Sequence, residues 1–315
     1  MKTRIFILSV SLLFFSLISS CSKNSSIPPI DDKVDLDGGK FPDSSLITPS
    51  HYLLSAAIPN PTAADLAKPV IITVHGFTAC NFEWTEFRDW SKSFSDFNVS
   101  LVLLGGHGRD YETFRKSSWA DWQSPIIEEY NKLRDLGYQK ISFIASSTGC
   151  PLVLNMITTN KINADVLKHV FFIDPIIISS NKTLSLVSVL GPLLKYSPST
   201  LDPGENGYWY KYRPQEALKQ LEKLIKKERK ELEKGITLPE GVSLKVYKSE
   251  KDGSADPASA VLLSKGLKTS NGNNIDVEMI NSSLHVFTRL HGRATITSSD
   301  TDLQLKTFQE IHSAL

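Results

Sequence analysis

Five short runs rich in β-branched and other apolar residues, with helix-patterned stretches between most of them, restrict this chain more than any other feature. They cover residues 69–75, 99–104, 140–145, 170–173 and 244–247. Val70, Ile71, Ile72 and Val74 of the first run leave no polar face, so both sides of that strand must be covered. Parallel neighbours need a crossover, and a helix is its ordinary form. Ser118 with Asp121 three places on reads as a capping box. Trp119, Trp122, Ile126, Tyr130 and Leu133 follow at helical spacing, and Gly137 closes that helix. A second helix is expected over 149–159 and a last amphipathic one over 302–315. The fold class expected is α/β, a mostly parallel central sheet with helices on both faces. Residues 49–175 and 242–315 form its core.

Residues 176–241 interrupt the alternation and are expected to form a helical cap. Within them, 214–234 reads as a long charged helix with Leu218, Leu221, Ile225 and Leu232 along one side. Its dense Lys and Glu are a solvated face laced with pairs such as Glu222 and Lys226. Tyr208, Trp209, Tyr210 and Tyr212 either pack the insertion onto the core or line an apolar cleft, and the two roles are compatible. With 35 basic against 34 acidic residues, nothing points to a nucleic-acid partner or a solvating acidic tail. Three cysteines are too few for a disulfide scaffold and wrongly spaced for zinc.

The chemistry-bearing residues follow the strands. Ala145, Ser146, Ser147, Thr148 and Gly149 match a small-x-Ser-x-small turn between a strand and a helix. Small residues are needed two places either side, because the backbone doubles back there. Ser147 has Ala145 and Gly149 in those places, whereas Ser146 has Ile144 and Thr148. His75, Gly76, Phe77 and Thr78 follow the first strand, and the backbone N–H groups of Phe77 and Thr148 are the candidate oxyanion donors. His75 itself is read as a structural loop residue. Asp252 follows the fifth strand, and His285 comes later. In this order His285 would take the Ser147 proton, and Asp252 would fix the imidazole tautomer.

Taken together, these segments resemble the α/β-hydrolase superfamily, and within it bacterial carboxylesterases and monoacylglycerol lipases. Gly106, His107 and Gly108, the stretch from Trp119 to Trp122, Gly137 with Tyr138, and the stretch from Asp252 to Ala260 carry the same likeness. It runs from about residue 68 to the C-terminus, and Ala145 stands where a glycine is usual. The resemblance implies an α/β-hydrolase fold and a monomeric serine hydrolase that cleaves small carboxylic esters through an acyl-enzyme on Ser147, without metal or cofactor. Amide or peptide cleavage by the same triad stays open, as does a non-catalytic binding protein on this scaffold. Asp256 and Asp174 stay open as alternatives to Asp252. This fold would bring Cys80 and Cys150 close, either as a disulfide bracing the oxyanion hole or as two buried thiols.

Residues 1–20 read as a signal peptide: Lys2 and Arg4, then an apolar run over 5–18 broken by Ser9, Ser11 and Ser16, too short to span a bilayer. Ile18, Ser19, Ser20 and Cys21 resemble the bacterial lipoprotein lipobox, which implies cleavage before Cys21 and acylation of its thiol, palmitate included. The expected location is the bacterial cell envelope, lipid-anchored at the outer membrane. Residues 21–48 carry that cysteine and a flexible tether rich in Ser, Asp, Pro and Gly.

Overall fold

Alternate residues of each sheet strand enter two different apolar clusters, and this separation defines the layers. Residues 44–180 and 195–315 are described by a computed structural model; the signal peptide, Cys21 and most of the tether lie outside them. Six strands form the sheet: β1 (Val70–Val74), β2 (Asn98–Val102), β3 (Ile141–Ser146), β4 (Leu167–Ile173), β5 (Ser243–Ser249) and β6 (Asp276–Ile280). Their order is β6-β5-β4-β3-β1-β2, and every pairing is parallel. Val70, Ile72, Val74, Phe143, Ala145, Val170, Phe172, Leu244 and Val246 face one cluster. Ile71, Leu101, Ile144, Phe171, Ile173 and Tyr247 face the other. That period of two is the pleat of a strand buried on both sides.

Helix α1 (Thr85–Ser91) and the C-terminal α6 (Ser298–Ser313) cover the second face with Phe87, Phe308 and Ile311. The first face carries α2 (Trp119–Asp135), α3 (Gly149–Thr158), α4 (Gln215–Lys234) and α5 (Ala258–Gly266). Capping sets the helix starts. Ser118 Oγ accepts from the Asp121 N–H at 3.3 Å, and Asp121 answers from Ser118 N at 2.7 Å. Thr297 and Asp300 form the same box, so α6 begins four residues before the periodicity alone suggests. Chain order reverses between β1 and β3: the chain passes out to β2 and returns on the other side of β1. Such a switch point leaves a crevice at the strands' carboxyl ends. No helix among the described residues is long and apolar enough to cross a membrane.

Several expectations need correction. The strand β6 escapes the sequence reading because it is an edge strand whose residues are mostly half-exposed or exposed. The tether ends earlier than residue 48: Leu46 is fully buried and its carbonyl accepts from Asn81 Nδ2 at 2.9 Å. Most consequential is the insertion. Helix α4 is not a cap but part of the layer on the sheet. Ala217, Leu221, Leu224, Ile225 and Leu232 join the main cluster. Its last turn meets α5 so closely that a Cβ on Gly266 would stand 2.6 Å from the Leu232 carbonyl oxygen. Helical spacing reveals an apolar face but not its partner. The described part of the insertion before α4 is an antiparallel pair, Tyr196–Pro198 with Tyr212–Pro214, and a short 3-10 turn at Pro203–Glu205.

The aromatic run docks this insertion. Tyr208 stacks on Phe82 at 3.7 Å between centroids, and Trp209 meets the same ring edge-on. Tyr210 is fully buried; its N–H donates to the Thr78 carbonyl at 2.9 Å and its hydroxyl to the Arg109 carbonyl at 2.7 Å. As a check on the capping argument, Ser118→Ala is expected to cost about 1 kcal/mol. It would lower the urea midpoint with the slope unchanged.

Candidate active site

The turn after β3 is set by sterics on both sides of Ser147. Ser147 has φ 48°, a left-handed conformation that a non-glycine residue adopts only when its surroundings enforce it. Its N–H donates to the Ile173 carbonyl at 3.0 Å, and its carbonyl accepts from Cys150 and Ile176 at 3.3 Å each. A Cβ on Gly149 would stand 2.6 Å from the Val74 carbonyl oxygen, so only glycine lets α3 start against β1. Ala145 is accommodated, its methyl in the core. Ser146 points away: its hydroxyl bonds the Glu83 carboxylate under the turn.

Ser147 Oγ lies 2.9 Å from His285 Nε2, and His285 Nδ1 lies 2.8 Å from Asp252 Oδ2. Asp252 Oδ1 accepts from the N–H groups of Ser254 and Ala255 at 2.7 and 3.1 Å. Burial pushes the Asp252 pKa up, but His285 and the Lys248 ammonium outweigh it and hold the carboxyl at about 2. Ionised Asp252 demands that Nδ1 carry the proton, leaving Nε2 to accept one from Ser147. Asp256 is occupied elsewhere, accepting from the Ala258 N–H at 2.8 Å at the start of α5.

Asp174, the other alternative acid, is a clamp. Its carboxylate accepts from Ser249 N at 2.7 Å, Ser249 Oγ at 3.1 Å and Phe287 N at 3.2 Å, tying the end of β4 to β5 and to the His285 loop. Between the two carboxylates sits Lys248, which the sequence reading missed. It is fully buried, with Nζ 2.6 Å from Asp252 Oδ2 and 3.1 Å from Asp174 Oδ1. A lysine inside the strand just before Asp252 was the available signal. Asp174, Asp252 and His285 are the grouping of metal-ligand types found among the described residues. The ammonium already supplies its cation.

The oxyanion turn is held from the other side. Glu83, also missed, accepts from Gly76 N at 3.0 Å as well as from Ser146. Burial raises its pKa against those hydrogen bonds. Gly76 is pressed onto Ser147, for a Cβ there would lie 3.1 Å from Ser147 Cβ. Phe77 and Thr148 both line the cavity that holds Ser147 and His285. Thr148 occupies the position just before α3, at a helix N-terminus where backbone N–H groups and the helix dipole favour negative charge. His75 is structural, as read: Nε2 accepts from Leu104 N at 3.1 Å and Nδ1 meets the Gly76 carbonyl at 3.0 Å. Burial holds its pKa well below the usual histidine value.

The bridge weighed for Cys80 and Cys150 is not formed; both thiols are free and buried. Cys80 packs with Phe82, Leu103 and Trp209, while Cys150 lies in the main core and directs its thiol to the Ala145 carbonyl at 3.1 Å. The two side chains belong to different clusters.

Removing the buried cation leaves two carboxylates facing each other. Lys248→Met is expected to destabilise the chain by about 3–5 kcal/mol. Adding Asp174→Asn should recover part of that loss, measured by urea unfolding as a double-mutant cycle.

No protein-family model matches the chain, and no curated protein sequence does. Solved structures do. A metagenome-derived lipolytic enzyme superposes with TM-score 0.62 at 15% identity, over 78% of this chain and 94% of that one. A soluble variant of the monoglyceride lipase from Saccharomyces cerevisiae, solved with a substrate analog, gives 0.62 at 11% identity, over 81% and 89%. The monoacylglycerol lipase of Paleococcus ferrophilus gives 0.58 at 15% identity, over 79% and 97%. Similarity at this level speaks to architecture alone. Together with the parallel sheet and its helical layers, it shows that the chain has the α/β-hydrolase fold.

Proposed function

We propose that the chain is a serine hydrolase of carboxylic esters. The observation that carries this reading is the unbroken succession from Ser147 Oγ through His285 to Asp252 at 2.9 and 2.8 Å. Ser147 Oγ attacks the ester carbonyl while His285 Nε2 takes its proton. The N–H groups of Phe77 and Thr148 receive the oxyanion. Collapse expels the alcohol, which leaves with the His285 proton. Water then attacks the acyl-enzyme by the same route and restores Ser147. Throughout, Asp252 stabilises the imidazolium. The Lys248 ammonium leaves the Asp174 and Asp252 pair with one net negative charge to face it. The lipolytic neighbours favour esters over amides as the substrate class.

A fluorophosphonate probe tests this without knowledge of the natural substrate. The chain starting after Cys21 is expected to be labelled and to turn over p-nitrophenyl esters. Ser147→Ala should abolish both while the protein still folds. Asp252→Asn should lower kcat on the order of 10³–10⁴-fold. Labelling that survives Ser147→Ala would remove the nucleophile assignment. Faster turnover of matched anilides would favour an amidase. Neither labelling nor turnover would favour a non-catalytic binding protein.

We further propose that Cys21, outside the described residues, is acylated and anchors the chain in the bacterial envelope at the outer membrane. The lipobox-like residues 18–21 support this. Palmitate incorporation in a bacterial host is expected for the full chain and should be lost in Cys21→Ser. Labelling of both proteins alike would contradict it.

A further inference from the structure

The cavity over Ser147 encloses about 550 Å³. That is ample for a small ligand. Phe77, Ile176, Leu201, Trp209, Leu218 and Leu221 give it an apolar side, but polar and charged groups share its walls. Ser197, Ser199, Thr200 and Gln215 line it, and so do three guanidinium groups, Arg213, Arg289 and Arg293. Two carboxyls, Glu83 and Glu205, share the same walls, and both are committed. Glu205 pairs with Arg289 at 2.6 Å and accepts from Asp202 N at 2.9 Å. Glu83 serves the oxyanion turn.

The remaining two arginines form no ion pair with a carboxylate among the described residues. Arg293 donates to the carbonyls of Arg289, at 2.7 Å, and of His285 and Val286, directly behind the histidine. Burial and the neighbouring Arg289 pull its pKa down to about 10, still cationic at neutral pH. Arg213 sits on the short antiparallel pair opposite Ser197 and gives one N–H to the Pro198 carbonyl at 2.9 Å. Its Nε is buried with no hydrogen-bond partner, as is Gln215 Oε1 two residues on. Burial lowers the Arg213 pKa and no acidic group opposes it. Arg213 is half-buried, and a partly desolvated cation with no acid beside it among the described residues favours an occupant that brings the charge.

We propose that this cavity selects esters bearing an anionic group, a carboxylate or a phosphate, seated against Arg213, with the field of Arg293 adding to it. The inference rests on the ester-hydrolase reading above and names its substrate class. A charge held remotely from the reacting carbonyl contributes to ground state and transition state alike, so its loss appears in KM rather than kcat.

Three substrate pairs test it, each comparing an anionic ester with a neutral partner. They are 4-nitrophenyl hydrogen adipate with its methyl ester, 4-acetoxybenzoate with its methyl ester, and 4-acetoxyphenyl phosphate with 4-acetoxyanisole. The first places a carboxylate on the acyl side, the second on the alcohol side, and the third replaces it by phosphate. At least one pair is expected to favour the anion by about tenfold in kcat/KM. Arg213→Gln should erase that preference through KM, leaving neutral esters and fluorophosphonate labelling within about twofold of the parent. Arg213→Lys should keep part of it. A neutral preference in all three pairs overturns the proposal while leaving ester hydrolysis intact, and a preference untouched by Arg213→Gln overturns the seat. If the serine labels but no ester turns over, protection from labelling decides. Adipate or inorganic phosphate should slow labelling of the parent and not of Arg213→Gln, and no protection of either overturns the proposal. Loss of labelling altogether instead removes the parent reading.

Discussion

The Lys248 ammonium, sealed between Asp174 and Asp252, is the contact on which the geometry of the site depends. Asp174 ends β4, Lys248 lies in β5, and Asp252 follows it, so the ion cluster locks two strand ends together. Asp174 also grips Phe287, two residues past His285. The histidine loop is thereby fixed to the same point that fixes its acid. The cation stands between two buried carboxyls that would otherwise face each other, and together with the larger effect of His285 it holds the Asp252 pKa down.

A second buried carboxyl does comparable work on the other side of Ser147. Glu83 joins Gly76 to Ser146, so the oxyanion turn and the serine turn are braced by one side chain. Glu86 adds a further tie, accepting from the N–H groups of Leu290 and His291 at 2.7 and 2.8 Å and joining α1 to the segment after His285. Serine turn, oxyanion turn and histidine loop lie on different strand ends, yet a carboxyl side chain reaches each: Glu83 bonds the Ser146 hydroxyl and the Gly76 N–H, and Asp174 and Glu86 accept from backbone N–H groups after His285. Such bonds are short-ranged and directional, which suits a site that must hold its groups in register. On the cavity's far wall the logic differs. Arg289 is matched by Glu205 and stacked on Trp209 at 4.6 Å, whereas Arg213 has no matching acid among the described residues.

Much of this was legible before any coordinates. Five of the six sheet strands announced themselves: four are interior strands, apolar on both sides, and the edge strand β2 still buries Ser100, Leu101 and Val102. The Ser118 box and the Ser147 turn were visible because capping and tight turns act over three or four residues. The sixth strand was hidden by its half-solvated edge position. Helix α4 was misplaced because the row of Leu221, Ile225 and Leu232 looks the same against a sheet as against a cap. The choice among Asp174, Asp252 and Asp256 was likewise closed to the sequence: all three are acids near strand ends, and only distance separates them.

By itself, then, the sequence determined what depends on neighbours along the chain: element type, turn chemistry and the layered α/β arrangement. The tertiary structure alone decided what depends on groups far apart in number and adjacent in space. It put Lys248 between two acids, Glu83 beneath Gly76, Cys80 and Cys150 in separate clusters, and Arg213 on the cavity wall with its Nε unpartnered. The physical reason is range. Periodicity and capping are written within one turn or one pleat, whereas electrostatic pairing and desolvation depend on which strand ends the sheet order brings together.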